Sequence, residues 1–385
     1  MAKALAYIAG AGGVGPFGNS MSELKNSLSS GTCQLNSVTV RDNLMRAGTL
    51  SKSCEDLLHS SPLSNKCDKS VKMALLALRD CLISDKPDTG RRIGISMGTS
   101  RGLTRTWESS YDAFSNGRPI SPFVSPVTTP GNLTSELARE FNFNGPELTV
   151  SMTCSSGMAA IINGLAWLTS GWVDDFIAGG SEAALTPFTL AQAQALNLYS
   201  NLLNDDWPCR PLDTEKAQNT MVIGEGAGVL WLTLDEKYRN CPRIIGFGAA
   251  REDETSMTGI SENGDAFYKA MQQALSFSPG PIEAILVHAP GTQKGDEAEL
   301  RAINRIFPSG ERPVLYPLKA LIGHTYGASG PIACLAALTL MDQALPMPAY
   351  LGGSIKVPKA QRILVNSAGF GGQSISLLLE SPSND

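Results

Sequence analysis

The sequence predicts an α/β fold of stacked layers. Short apolar runs with period-two alternation, such as Leu148, Val150 and Met152 against Thr149 and Ser151, alternate with helical stripes such as Val71, Met73, Leu75, Leu78 and Leu82. The same alternation starts again after the charged segment 235–242, so two sets of elements are expected, 1–237 and 241–385. The segment 158–167 is apolar almost all round, so its helix must be covered on every side. No sequence repeat relates the two sets.

Composition removes several classes of function. A hydrophobic content of 42% against 17% charged residues fits an ordered core. The net charge of −5 offers no basic surface for nucleic acid. No window reaches the roughly 18 uninterrupted apolar residues of a membrane span. The N-terminal apolar run is too short for a signal peptide, and a cytoplasmic protein is expected. The eight cysteines, at 33, 54, 67, 81, 154, 209, 241 and 334, form no C-x-x-C pair. Their scatter fits reduced thiols rather than disulfides, a zinc site or any other metal site.

In chain order, 3–9 reads as a strand that runs into Gly10-Ala-Gly-Gly-Val-Gly15. Gly10, Gly12 and Gly15 match G-x-G-x-x-G, but Pro16 follows at once and no ribose-binding acid is placed, so a dinucleotide site is not expected. Residues 28–68 read as a polar surface excursion. Helices are expected over 70–84, 104–114 and 133–141, and a strand over 92–97. Four prolines make 119–130 a rigid loop. A strand over 175–180 runs into a glycine turn, a helix follows over 188–198, and a polar loop spans 201–220. A buried strand closes the first set before residue 235. In the second set, strands are expected at 243–247, 282–288, 362–366 and 374–379, and helices at 265–275, 296–306 and 330–345. Residues 319–324 fall in a turn.

The chemistry centres on Glu147-Leu-Thr-Val-Ser-Met-Thr-Cys154-Ser-Ser-Gly157, a strand, a sharp turn and the start of the buried helix. Cys154 falls at the helix N-terminus, where free N–H groups and the helix dipole are expected to favour its thiolate.

Together the motifs resemble the β-ketoacyl synthases, the condensing enzymes of fatty-acid and polyketide synthesis. The resemblance runs through Ser121-Pro-Phe-Val, Pro130-Gly-Asn, Thr153-Cys-Ser-Ser-Gly157, Ala178-Gly-Gly-Ser-Glu182 and Arg210-Pro-Leu-Asp213. It continues through Gly224-Glu-Gly-Ala-Gly228, Lys319-Ala-Leu-Ile-Gly-His-Thr325 and Gly369-Phe-Gly-Gly372. It implies a thiolase-like, five-layered α-β-α-β-α fold of two similar halves, usually dimeric. It implies that Cys154 accepts an acyl chain from an acyl carrier protein, with His324 and Lys319 as catalytic partners and no cofactor. Phe370 maps onto the gate of the cysteine pocket, and Gly371 and Thr292 onto the substrate site. Backbone N–H groups at Cys154 and in the 369–372 loop would stabilise an oxyanion.

The sequence also departs from the family. A second family histidine precedes a Gly-Thr pair, and here Pro290 stands in that position, followed by a loop to Asp296 about two residues shorter than usual. Proline can neither donate a hydrogen bond nor move a proton. His288 lies two residues earlier, about 6.6–6.8 Å along an extended strand and on the same face. Thr220 replaces a family glycine beside Met221, which alters the wall near the cysteine or the dimer contact. The leading expectation is therefore a chain-length-factor-type partner, as in type II polyketide systems including the aryl-polyene group. It would have an incomplete site and be paired with a ketosynthase subunit whose site is complete. A second reading is a competent condensing enzyme using His324 with His288 or water. A third is a thioester acyltransferase or hydrolase using Cys154 and His324.

Overall fold

The computed structural model describes residues 4–40, 42–60, 67–88, 90–253, 259–308, 312–353 and 355–382. Its first set of strands is β1 (Ala6–Val14), β2 (Ile93–Gly98), β3 (Glu147–Val150), β4 (Asp175–Glu182) and β5 (Gly226–Thr233). The second is β6 (Arg243–Arg251), β7 (Ala284–Leu286), β8 (Val314–Tyr316), β9 (Arg362–Gly369) and β10 (Gln373–Glu380). The hydrogen-bonded order is β8-β7-β9-β10-β6-β1-β5-β4-β2-β3. In the first set β2 runs parallel to β3 and β4, and the β4–β5 and β5–β1 pairs are antiparallel. The second set repeats this: β7 is parallel to β8 and β9, and β9–β10 and β10–β6 are antiparallel. Read outward from the join, order and direction are the same in both. The join is a short antiparallel contact, Ala6 and Tyr7 against Ile244 and Arg243.

Six helices complete the layers: α1 (Lys69–Cys81), α2 (Asn132–Phe141), α3 (Ser156–Thr169), α4 (Asp265–Ser276), α5 (Gln293–Ile306) and α6 (Ser329–Asp342). α1 and α2 cover the outer face of the first set. α4 lies on the outer face of the second, with α5 packed against α4. α3 and α6 touch each other and strands of both sets. The result is the sequence of layers α-β-α-β-α. The central position explains why α3 and α6 are apolar all round, whereas α1 buries one stripe, including Val71, Met73, Leu75 and Leu78. Asp68 caps α1 by accepting the Ser70 N–H at 2.9 Å. Among the described residues no helix is long and apolar enough to cross a membrane.

The glycine-rich run is strand, not a phosphate loop. β1 continues to Val14, and a Cβ on Gly12 would lie 2.1 Å from the Ala77 carbonyl oxygen. The glycines let α1 lie directly on the sheet. Within 28–68, the expected excursion contains a hairpin, Asn36–Val40 with Asn43–Ala47, and a helix, Lys52–Ser60; 61–66 fall outside the described residues. Val38 and Val40 pack against the cluster around Met45 and Tyr199, which gives this polar stretch a reason to order. The proline-rich loop folds one short helix, Val124–Thr128. The expected turn at 319–324 contains a single helical turn, Lys319–Ile322, ended by Gly323 at φ +77°.

Candidate active site

Cys154 lies in the turn between β3 and α3, immediately before the Ser155 N-cap, and is buried. The turn is tight. Thr153 adopts φ +50°, a left-handed conformation that costs a β-branched residue about 1–3 kcal/mol. Local bonds hold it: the Met152 N–H donates to Ser156 Oγ at 2.8 Å, and the Ser155 N–H to the Met152 carbonyl at 3.1 Å. The second half of the chain holds it as well. Thr153 Oγ1 donates to the Phe370 carbonyl, and Ser367 Oγ to the Cys154 carbonyl, both at 3.1 Å. A Cβ on Gly369 would lie 1.8 Å from Thr153 Oγ1, so this close approach requires glycine.

Burial pushes the Cys154 thiol up to about 12, with the Lys319 ammonium opposing only part of the shift. The expectation of an easily formed thiolate is thus corrected. At this helix end, loss of water is the largest influence on the thiol.

Lys319 is buried, and its Nζ donates to the His288 carbonyl. Burial lowers its pKa, while the Glu299 carboxylate is the strongest influence raising it. Glu299, on α5, is fully buried and accepts the His288 N–H at 2.9 Å, the Ala289 N–H at 2.7 Å and Asn366 Nδ2 at 2.9 Å. The segment after β7 is therefore fixed from two sides.

The His288 ring is buried and stands edge-on to His324, centroids 5.4 Å apart at 83°. Among the described residues its Nδ1 has no hydrogen-bond partner. Burial first, then the charge of Lys319, hold both imidazoles well below the usual 6.5, so both are neutral near pH 7. His324 Nδ1 accepts the Tyr326 N–H at 3.0 Å and lies 2.9 Å from Ser329 Oγ. An Nδ1 that accepts leaves the proton on Nε2, which makes His324 a hydrogen-bond donor toward a ligand.

At the position where Pro290 is expected to leave a gap, the structure brings the His288 ring beside His324. The proline in the histidine position and the loop two residues too short are one displacement. Taking His288 as the family histidine removes both, and it is the His288 ring that faces His324. Pro290 is half-buried behind it, its carbonyl 4.0 Å from Cys209 Sγ. The loop beyond is held by Asp296, which accepts the Gly291 and Leu212 N–H groups at 3.0 Å and Lys216 Nζ at 2.7 Å.

Two further expected site residues have partners within the protein. Thr292 caps α5, accepting the Gly295 N–H at 3.2 Å. Thr220 accepts the Arg210 N–H and donates to the Gly291 carbonyl, both at 3.0 Å. Both hydroxyls take part in holding the 288–296 loop. Phe370 is 42% exposed at the rim, beside Gly371 at φ +89° and Gly372 at φ +75°. Glu299, Tyr326, Ser329 and Ser367 are site residues that the motifs did not single out. For Glu299 the available signal was its place one helical turn after Asp296, on the same face.

A thiolase-like fold with a cysteine, two imidazoles and a lysine at the junction of its halves defines the class of thioester-condensing proteins. The β-ketoacyl synthase N-terminal domain matches residues 7–237, and the C-terminal domain 242–350. The chain belongs to the β-ketoacyl synthase family, the condensing proteins of fatty-acid and polyketide biosynthesis. It is 26% identical to 3-oxoacyl-[acyl-carrier-protein] synthase 2 of Vibrio cholerae serotype O1, covering 99% of this chain and 100% of the relative. Two solved structures share the fold. The ishigamide ketosynthase/chain length factor has a TM-score of 0.85 at 21% identity, covering 98% of this chain and 99% of that one. A type II polyketide acyl-carrier protein in complex with its ketosynthase has a TM-score of 0.84 at 20% identity, covering 99% and 100%.

Proposed function

We propose that this chain is a β-ketoacyl condensing enzyme of two halves, 1–237 and 241–385. Cys154 carries the acyl group, and His288 and His324 act on the incoming malonyl thioester. The observation that carries this reading is the pair of buried neutral imidazoles, 5.4 Å apart and joined to the Cys154 environment through Lys319.

In the first half-reaction Cys154 Sγ attacks the acyl thioester of a carrier protein. The carrier's thiol leaves with the cysteine proton. In the second, N–H groups of the two imidazoles donate to the malonyl thioester carbonyl. As carbon dioxide departs, they stabilise the enolate. The carbanion attacks the acyl-cysteine carbonyl, the C–S bond breaks, a 3-ketoacyl carrier thioester leaves, and the released Cys154 thiolate takes a proton from water to restore the thiol. The Cys154 N–H and the 369–372 loop hold the tetrahedral oxyanion, and Phe370 gates the rim. Protein groups supply each of these steps without a cofactor. The free thiols of all eight cysteines support a cytoplasmic site of action.

The test is carbon dioxide release and 3-ketoacyl product from the purified protein with malonyl and acyl carrier proteins. Cys154→Ala should abolish the product. No turnover by the wild-type protein, alone or with a partner, would overturn the reading.

A second reading, the chain-length-factor-type partner of a ketosynthase, is favoured by a different observation. β3 ends the sheet with Glu147 and Leu148 exposed, and Trp107, Tyr111, Phe114, Ile120 and Phe123 are also exposed. These apolar residues and the open edge suit a second ketosynthase-type chain. If this reading holds, Cys154→Ala leaves product formation by the complex nearly intact.

A further inference from the structure

Tyr326 is one of the site residues to which the mechanism above gives no role, and its placement is unusual. It lies two residues after His324 with φ +45°, a conformation that bulky L side chains rarely adopt. That conformation turns its N–H onto His324 Nδ1 and lays its ring on the imidazole, centroids 5.2 Å apart at 28°. His324 is thus flanked by the edge-on His288 ring and by the stacked phenol. On its other contacts Tyr326 packs against an apolar cluster that includes Met45, Leu190, Ala193, Tyr199 and Met221. The Tyr326 phenol is also close enough to Cys154 that a thiolate there would raise its pKa, after the larger effect of burial.

The geometry points to Tyr326 as a specificity-determining residue, whose ring separates Cys154 from the apolar cluster and limits the length of the acyl group the cysteine accepts. The inference rests on the acyl-thioester reading of Cys154. Stacking on a buried imidazole restrains the ring against swinging aside. An acyl chain extending from Cys154 toward Leu190 and Ala193 meets the phenol first. Short acyl groups end before it. The hydroxyl is not required for this role, only the ring.

The experiment is acylation of the full-length protein by acetyl, hexanoyl and decanoyl pantetheine thioesters, followed by intact mass with Cys154→Ser as the blank. Tyr326→Gly removes the ring and suits the backbone. It should raise the decanoyl-to-acetyl rate ratio about tenfold or more, the scale on which pocket size discriminates chain length. Tyr326→Phe should keep the wild-type profile. An unchanged ratio in Tyr326→Gly overturns the length limit while leaving acylation of Cys154 standing. If no thioester modifies Cys154 in wild type or variant, both the length limit and the acyl-cysteine reading fail. Should Tyr326→Gly not fold, Tyr326→Asn carries the test with the same outcomes, because asparagine tolerates this backbone.

Discussion

The two halves share strand order and direction, yet they place different chemistry at equivalent points. Between the third strand and the central helix, the first half has the short turn 151–155 with Cys154. The second half has the longer segment 317–328 with Lys319 and His324. After the second strand, the first half has Thr99, Ser100 and Arg101, tied to the buried Glu182. The second half has His288 there, tied to the buried Glu299. One half thus places the buried Cys154 and a carboxylate-braced segment, and the other places the imidazoles. The fold fixes where loops emerge, and the loops decide what those places do.

The sharpest way to break this comparison is to exchange the role of two nearby residues. His288→Ala should lower condensation about 10²–10⁴-fold, the usual range for a lost proton-handling or hydrogen-bonding group, whereas Pro290→Ala should stay within about threefold of wild type. Initial rates of carbon dioxide release from malonyl carrier protein decide it. The reverse pattern would return Pro290 to the centre of the argument.

A smaller effect is expected from the braces. Glu299→Gln replaces an acceptor that serves three donors with a group that is partly a donor. Urea unfolding should show a loss of about 1–3 kcal/mol, with condensation falling as His288 loosens. Gly12→Ala is expected to cost about 1–3 kcal/mol without touching the site, because its methyl meets backbone of α1 that cannot yield. Equal thermal midpoints for this variant and wild type would mean that α1 sits less closely on β1 than described.

The gentlest probe is pH. Iodoacetamide reacts with a cysteine only as its thiolate, and burial raises the Cys154 thiol to about 12, so the reading is alkylation at Cys154 alone, followed by peptide mass. Alkylation should therefore climb about tenfold per pH unit from pH 7 to about 10, without a plateau. A plateau near pH 8 would show that the helix end, not burial, controls the sulfur.

Some of this was legible in the chain itself. Alternation along β3 and the all-round apolar character of α3 and α6 announce a layered fold, because a helix apolar on every side must lie inside. Cys154, Lys319, His324 and the 369–372 glycines announce themselves by short motifs that are local in the chain. In the 288–296 loop the motif spacing points to Gly291-Thr292, whereas burial and the hydrogen bonds of Glu299 hold the segment at His288. Thr292 and Thr220 have the right residue types for a substrate site, but sequence does not reveal that each hydroxyl already has protein partners.

The sequence by itself determined the layers, the nucleophile turn and the family, since these depend on periodicity and on residues adjacent in the chain. Only the tertiary structure decided that His288 stands beside His324, that Lys319 reaches the carbonyl of His288, and that Tyr326 stacks on the second imidazole. It also decided the state of Cys154. The helix end can be read from the chain, but the removal of water around a sulfur depends on everything that packs over it, and here that removal is the largest influence on the thiol.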